Sequence, residues 1–145
     1  MASARPPERT LLVVEDDAAI REALADVLEG EGFEVVTAEH GKEALERLRS
    51  MPRPCLVLLD LMMPVMDGPA FLAELRRDDV LATLPVVIVS AWPADAAKLD
   101  GESQGFIKKP VSLEALLEVV HRHCAAPGPP ARPERGAASE SPRSP

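Results

Sequence analysis

Six polar side chains stand where apolar runs stop. Glu15, Asp16 and Asp17 follow Leu11-Leu12-Val13-Val14, Asp60 follows Leu56-Val57-Leu58-Leu59, Ser90 follows Val86-Val87-Ile88-Val89, and Lys109 comes shortly after Phe106-Ile107. Hard divalent cations such as Mg²⁺ are held by one or two carboxylates, with water and phosphate oxygens completing the shell. Asp16 and Asp60 suit that task, and Glu15 can join them directly or through water. A carboxylate can also attack phosphorus and form an acyl phosphate. The phosphoryl group in transfer then needs charge neutralisation and fixed donors, which a metal, Lys109 and Ser90 would supply. Asp60 is the candidate acceptor. Taken singly, each residue has an ordinary explanation: Asp17 as a helix N-cap, Lys108 and Lys109 as a solvated pair, Ser90 as a turn residue. Their joint occurrence at the ends of separate apolar runs is what those explanations leave unaccounted for.

The runs themselves read as strands. Leu56 to Leu59 are too few for a free-standing helix and too continuous for a half-exposed strand, so they predict a strand buried on both faces. Thr10–Val14, Glu34–Ala38, Pro85–Val89 and the short Gly105–Ile107 are the others. Between them lie helical patterns. Ala18 to Glu29 puts Ile20, Ala23, Leu24, Val27 and Leu28 on one face, with Asp17 as N-cap and Gly30 or Gly32 as the stop. Gly41 to Leu48 turns Ala44, Leu45 and Leu48 inward, and Pro69 to Arg77 follows a Met66-Asp67-Gly68 turn signal with Phe71, Leu72 and Leu75 at helical spacing. A short helix is expected around Ala94 to Leu99. Ser112 caps a last one, with Leu113, Leu116, Leu117, Val120 and Cys124 inward. Strands alternating with helices imply a doubly wound parallel α/β sheet with helices on both faces. Its strands would then end on one rim, where ligands bind in open α/β sheets.

The chain has 145 residues, 46% of them apolar and 28% charged, which suits one soluble domain. Residues 1–8 predict a disordered leader, 9–125 the domain, and 126–145 a disordered tail rich in Pro, Ala, Ser and Arg. A net charge of −8 opposes the basic footprint of direct nucleic-acid binding. No run approaches membrane-spanning length and no secretory h-region is visible, so a cytoplasmic protein is expected. Cys55 and Cys124 have no metal or disulfide spacing and are expected to be core thiols. His40, His121 and His123 are expected at the surface.

Val-Val-Glu-Asp-Asp, Leu-Leu-Asp-Leu-Met-Met-Pro-Val-Met-Asp-Gly, Val-Ser-Ala and Lys-Lys-Pro together resemble the receiver domain of two-component response regulators, of the chemotaxis-type single-domain fold, over about residues 9–125. The resemblance implies a flavodoxin-like sheet of strand order 2-1-3-4-5 and a phosphoprotein that carries an aspartyl phosphate on Asp60. It implies Mg²⁺, replaceable by Mn²⁺, on Glu15, Asp16, Asp60 and the backbone carbonyl of Met62. Ser90 takes the switch hydroxyl position, Phe106 the switch aromatic and Lys109 the invariant lysine. Small Ala91 leaves the site open to a donor, and Pro110 follows a cis peptide bond. Met62 and Trp92, two positions after Asp60 and Ser90, are apolar where a polar side chain could orient an attacking water, which predicts slow self-dephosphorylation. The stretch from Ser90 to Lys109 is a few residues shorter than usual in the family, and Gly101-Glu102-Ser103-Gln104 is poor helix material.

On this resemblance the chain is a signalling receiver and not an enzyme in its own right. It would take its phosphoryl group from a sensor histidine kinase or histidine phosphotransfer protein, docked on the first helix and the loop after the fifth strand, in a two-component or phosphorelay pathway. Its output would pass to an unidentified downstream protein, with no direct nucleic-acid or membrane contact, since the tail has neither length nor pattern for an output module. Phosphorylation would bias the face made by the short fourth helix, the fifth strand and the last helix. Three rival readings each miss a residue of the pattern. A haloacid-dehalogenase-type hydrolase wants an Asp where Met62 stands. A nucleotide-binding domain wants a Gly-rich loop where the acids stand. A phosphorylation-independent pseudo-receiver keeps the fold but leaves Asp16, Asp60, Ser90 and Lys109 unexplained.

Overall fold

The computed structural model describes residues 9–92, 97, 99 and 103–124. Five parallel strands, β1 (Thr10–Val14), β2 (Glu34–Ala38), β3 (Leu56–Asp60), β4 (Val86–Ser90) and β5 (Gly105–Lys108), form one sheet in the order β2-β1-β3-β4-β5. The described helices are α1 (Ala18–Gly30), α2 (Gly41–Ser50), α3 (Gly68–Arg77) and α4 (Leu113–His123). The short helix expected around Ala94 to Leu99 lies outside the described residues, apart from Ala97 and Leu99, as do the leader and the tail.

Alternation along the strands builds two cores. Side chains point to opposite faces at successive positions, so Leu11 and Val13 enter one layer with Leu24 and Leu28 of α1 and Leu116 and Val120 of α4. Leu12 and Val14 enter the other, with Ala44 and Leu48 of α2 and Phe71, Leu72 and Leu75 of α3. The central strands β1, β3 and β4 are buried throughout, which is why their sequences run apolar without alternating. Edge strands β2 and β5 are partly exposed.

Local chemistry sets the helix ends. Asp17, Asp67 and Ser112 each accept the backbone N–H three residues on, satisfying a first-turn donor of α1, α3 and α4. After α1 the chain turns at Gly32, whose φ of 96° suits a residue without Cβ.

Three expectations are corrected. Leu113, read as inward, and Ala23, read as part of the apolar face of α1, are exposed, Leu113 at 54%. His40, read as a surface residue, is half-buried and caps α2: its Nδ1 accepts the Glu43 N–H at 3.1 Å, while Glu43 Oε1 reaches back to the Glu39 N–H at 2.6 Å. Cys55 and Cys124, read as separate thiols, form a disulfide with Cα atoms 5.3 Å apart. Their separation of 69 positions hides the pairing. The chain brings them together because α4 runs back across the sheet, so its C-cap ends beside the start of β3.

Candidate functional site

The site residues are the last residues of strands or the first after them, so the ladder itself positions them. Asp60 closes β3 opposite Val89, and Ser90 closes β4 opposite Lys108. The Lys109 N–H donates to Ser90 O at 2.9 Å, and the Glu15 N–H donates to Ala38 O at 3.0 Å, each extending a ladder one step past the strand. The Lys109–Pro110 peptide bond is cis. Ligand atoms of Glu15, Asp16 and Asp60 lie within 4.8 Å of one another.

One ammonium serves two carboxylates. Lys109 Nζ lies 2.9 Å from Glu15 Oε1 and 3.3 Å from Asp60 Oδ1. The Glu15 contact lacks hydrogen-bond geometry, which leaves Oε1 a buried acceptor without a donor. Burial first, and then the Glu15 charge, push the Asp60 carboxyl up to about 7 against the opposing pull of Lys109. Burial pulls the Lys109 ammonium down, but the Glu15 contact and the Asp60 and Glu15 charges outweigh it, so its pKa ends above the usual lysine value. A cluster of three acids with one shared cation and an undonated buried oxygen suits a hard divalent cation; Glu15, Asp16 and Asp60 are the residues that would hold it.

The remaining residues surround a cleft of about 240 Å³. Ser90 is buried, and its Oγ accepts the Trp92 N–H at 3.0 Å, which leaves the hydroxyl hydrogen free to donate into the cleft. Ala91 and Trp92 line the cleft beside Met62, with Trp92 59% and Met62 63% exposed. Phe106 stands apart from the cleft, partly exposed on β5.

Two supports escaped the sequence. Arg21 Nη1 donates to Glu15 O at 2.9 Å and reaches Asp16 O at 3.4 Å, bracing the acidic loop from α1. Its signal was a cation in the first turns of a helix, where the dipole favours acids. Gly68 is the second. Its N–H donates to Leu61 O at 2.9 Å, and a Cβ there would lie 2.7 Å from both Asp60 O and Leu61 Cα. The loop between also holds Val65 at φ 67°, a costly conformation for a β-branched residue.

A second groove of about 300 Å³ opens between α1 and the segment after β5. Ile20, Ala23, Val27, Pro110, Val111 and Leu113 line it, which is where the two unexpectedly exposed apolar residues of the fold have gone. Among the described residues no helix is long and apolar enough to cross a membrane.

This rim, with carboxylates on β1 and β3, a hydroxyl on β4 and a lysine after β5, is that of a signalling receiver. The chain belongs to the response regulator receiver domain family, whose model matches residues 11–121. It is 38% identical over 112 residues to the phosphate regulon transcriptional regulatory protein PhoB of Escherichia coli (strain K12), covering 75% of this chain and 48% of that protein. It is 39% identical over 112 residues to the response regulator MprA of Mycolicibacterium vanbaalenii, covering 74% and 46%. The chain thus spans about half the length of the curated relatives it matches. Among solved structures, chemotaxis protein CheY4 of Vibrio cholerae superposes with a TM-score of 0.72 at 28% identity, over 84% of this chain and 99% of that one. The signal receiver domain of a signal transduction histidine kinase from Syntrophus aciditrophicus gives 0.70 at 33% identity, over 78% and 87%.

Proposed function

We propose that the chain accepts a phosphoryl group on Asp60 from a phosphohistidine donor and passes the signal on through protein contacts. The observation that carries this reading is the clustering of three carboxylates with ligand atoms within 4.8 Å of one another, two of which, Glu15 and Asp60, also contact the ammonium of Lys109. In the transfer an Asp60 carboxylate oxygen forms the new bond to phosphorus, the donor's N–P bond breaks, and the released imidazole nitrogen takes a proton from solvent. Bound at Glu15, Asp16, Asp60 and the Met62 carbonyl, Mg²⁺ or Mn²⁺ would neutralise charge on the phosphoryl oxygens. Lys109 holds a second face of that group, and Ser90 donates its free hydroxyl hydrogen to it. Ala91 adds no bulk at the entrance. Phe106 reads the change by packing, and Met62 and Trp92 place no carboxylate, amide or hydroxyl acceptor where it could orient an attacking water, so the aspartyl phosphate is long-lived.

The apolar groove between α1 and the segment after β5 is the docking place for the histidine kinase or phosphotransfer protein, because it adjoins the cleft through Lys109 and Ile20. We assign the downstream output to a protein target and not to nucleic acid, on the strength of the net charge of −8. Intact mass after incubation with acetyl phosphate tests the reading. One added phosphoryl group that needs both Mg²⁺ and Asp60 is expected; no adduct and no phosphate release in the same tube would refute it.

A further inference from the structure

The bond between Cys55 and Cys124 has no part in acceptor chemistry. Cys55 immediately precedes β3 and Asp60 ends it, so at about 3.3 Å per strand residue the bond lies roughly 15 Å from the acceptor, at the opposite rim of the sheet. These are the chain's two cysteines, and both are used.

We propose that Cys55–Cys124 is a reversible thiol-exchange site: a dithiol reductant opens it, and the bond, when formed, pins the last turn of α4 to the start of β3. Three observations carry this. Cys124 is the C-cap of α4 and its N–H donates to Val120 O at 2.8 Å, so the disulfide seizes the helix at its terminus. Around it, the last turn holds little else: His121 and Arg122 are exposed, and His123 is half-buried. The described noncovalent contacts there include the burial of Val120, a ring contact of His121 with Phe33 at 6.0 Å, and an ion pair of Arg122 with Glu118 at 3.3 Å that ties the last turn only to the turn before it. The two cysteines also differ in burial, since Cys124 is buried whereas Cys55, whose Sγ lies 3.2 Å from Thr10 O, is half-buried at the margin of the core, so a reductant would approach from the Cys55 side.

The exchange balances without help from elsewhere in the protein. A thiolate of the dithiol attacks Cys55 Sγ, forming a mixed disulfide and releasing Cys124 as a thiolate that takes a proton. The second thiol of the reductant then attacks its own sulfur in that mixed disulfide, and Cys55 leaves and is protonated. Two electrons and two protons pass from the dithiol to the protein, and a small disulfide such as oxidised glutathione reverses the step. Opening the bond leaves the fold in place, because Cys124 remains within the layer of Leu116 and Val120 as a small apolar side chain. What it frees is the point from which residues 125–145 continue. The proposal does not rest on phosphoryl transfer at Asp60.

The test uses the full chain in native buffer, with and without dithiothreitol, followed by iodoacetamide and intact mass, and by hydrogen exchange read on peptides from α3 and α4. Two alkylated thiols after reduction and none before are expected. So is amide exchange in the last turn of α4 about tenfold faster in the reduced form, with α3 unchanged. Oxidised glutathione should restore the slow exchange, and Cys124→Ser should exchange like the reduced protein without any reductant. A bond that resists dithiothreitol until the protein is denatured, free thiols before reduction, or equal exchange in the two forms would each overturn the proposal.

Discussion

Replacing Asp60 by Asn should stabilise the metal-free protein, and by an amount that depends on pH. Asp60 lies buried beside Glu15 with one shared cation, and its carboxyl is raised from 3.8 to about 7. The folded state therefore binds this proton more tightly than the unfolded chain does. Stability from that proton is fully present below the unfolded value and is lost as pH rises through the folded one. Near pH 8 the folded protein carries the whole cost of the charge, on the order of 4 kcal/mol for a shift of this size. Near pH 5 the folded carboxyl is mostly protonated, and roughly 2–3 kcal/mol of that cost is gone. Lys109 does not cancel the effect, because its charge and hydrogen bond already act within the raised value. Urea unfolding in chelator at several pH values between those limits measures it. Asp60→Asn should exceed the native protein by about 3–4 kcal/mol at the upper end, with the gap narrowing towards the lower. Saturating Mg²⁺ should close the gap from the other side by stabilising the native protein through mass action. A gap independent of pH, or a variant less stable near pH 8, would refute the electrostatic account.

Three further perturbations test the supports of the site. Gly68→Ala drives a Cβ against backbone atoms of Asp60 and Leu61 at 2.7 Å, and should cost about 2–3 kcal/mol in urea unfolding; a loss under about 0.5 would show that the loop yields easily. His40→Ala removes the acceptor for the Glu43 N–H and should cost about 1 kcal/mol by the same measurement. Reducing Cys55–Cys124 opens a closure spanning 69 positions, worth roughly 4 kcal/mol in chain entropy, so the thermal midpoint should fall by about 10–15 °C. No change on complete reduction would mean that noncovalent packing alone holds the end of α4.

The sheet was legible because three of its strands are buried on both faces and therefore had to be written as unbroken apolar runs. The acidic cluster followed from the sheet: once the strands are parallel, Glu15, Asp60, Ser90 and Lys109 must share a rim, whatever their separation in sequence. What stayed hidden depended on the path of helices across that sheet. Leu113 and Ala23 fall on apolar positions of their helices, yet they line the groove between α1 and the segment after β5 and not the core. The cysteines were misread for a related reason. Only the return of α4 across the sheet sets Cys124 beside Cys55, and spacing along the chain carries no trace of it. His40 was missed because imidazole is an uncommon cap, although Glu43 three residues on, which accepts the Glu39 N–H, was a visible sign of a helix start.

Sharing one ammonium between two buried carboxylates gives the proposed modification its leverage. In the unmodified protein Lys109 divides its contacts between Glu15 and Asp60, and burial, with the Glu15 charge after it, keeps the Asp60 pKa raised against the pull of that one cation. A phosphoryl group on Asp60 would add charge where charge is already in excess, so the donors around it must move towards it. Those donors are tied to strands. Ser90 pairs with Lys108, the Lys109 N–H is bonded to Ser90 O, and α4 begins four residues after Lys109. A shift of the Ser90 hydroxyl and the Lys109 ammonium towards Asp60 therefore pulls on β5 and on the entry to α4 together. The far end of that same helix is the one fastened by Cys55–Cys124, so under the two proposals the ends of α4 would answer to different chemistry, phosphorylation of Asp60 at the Leu113 end and thiol redox state at Cys124.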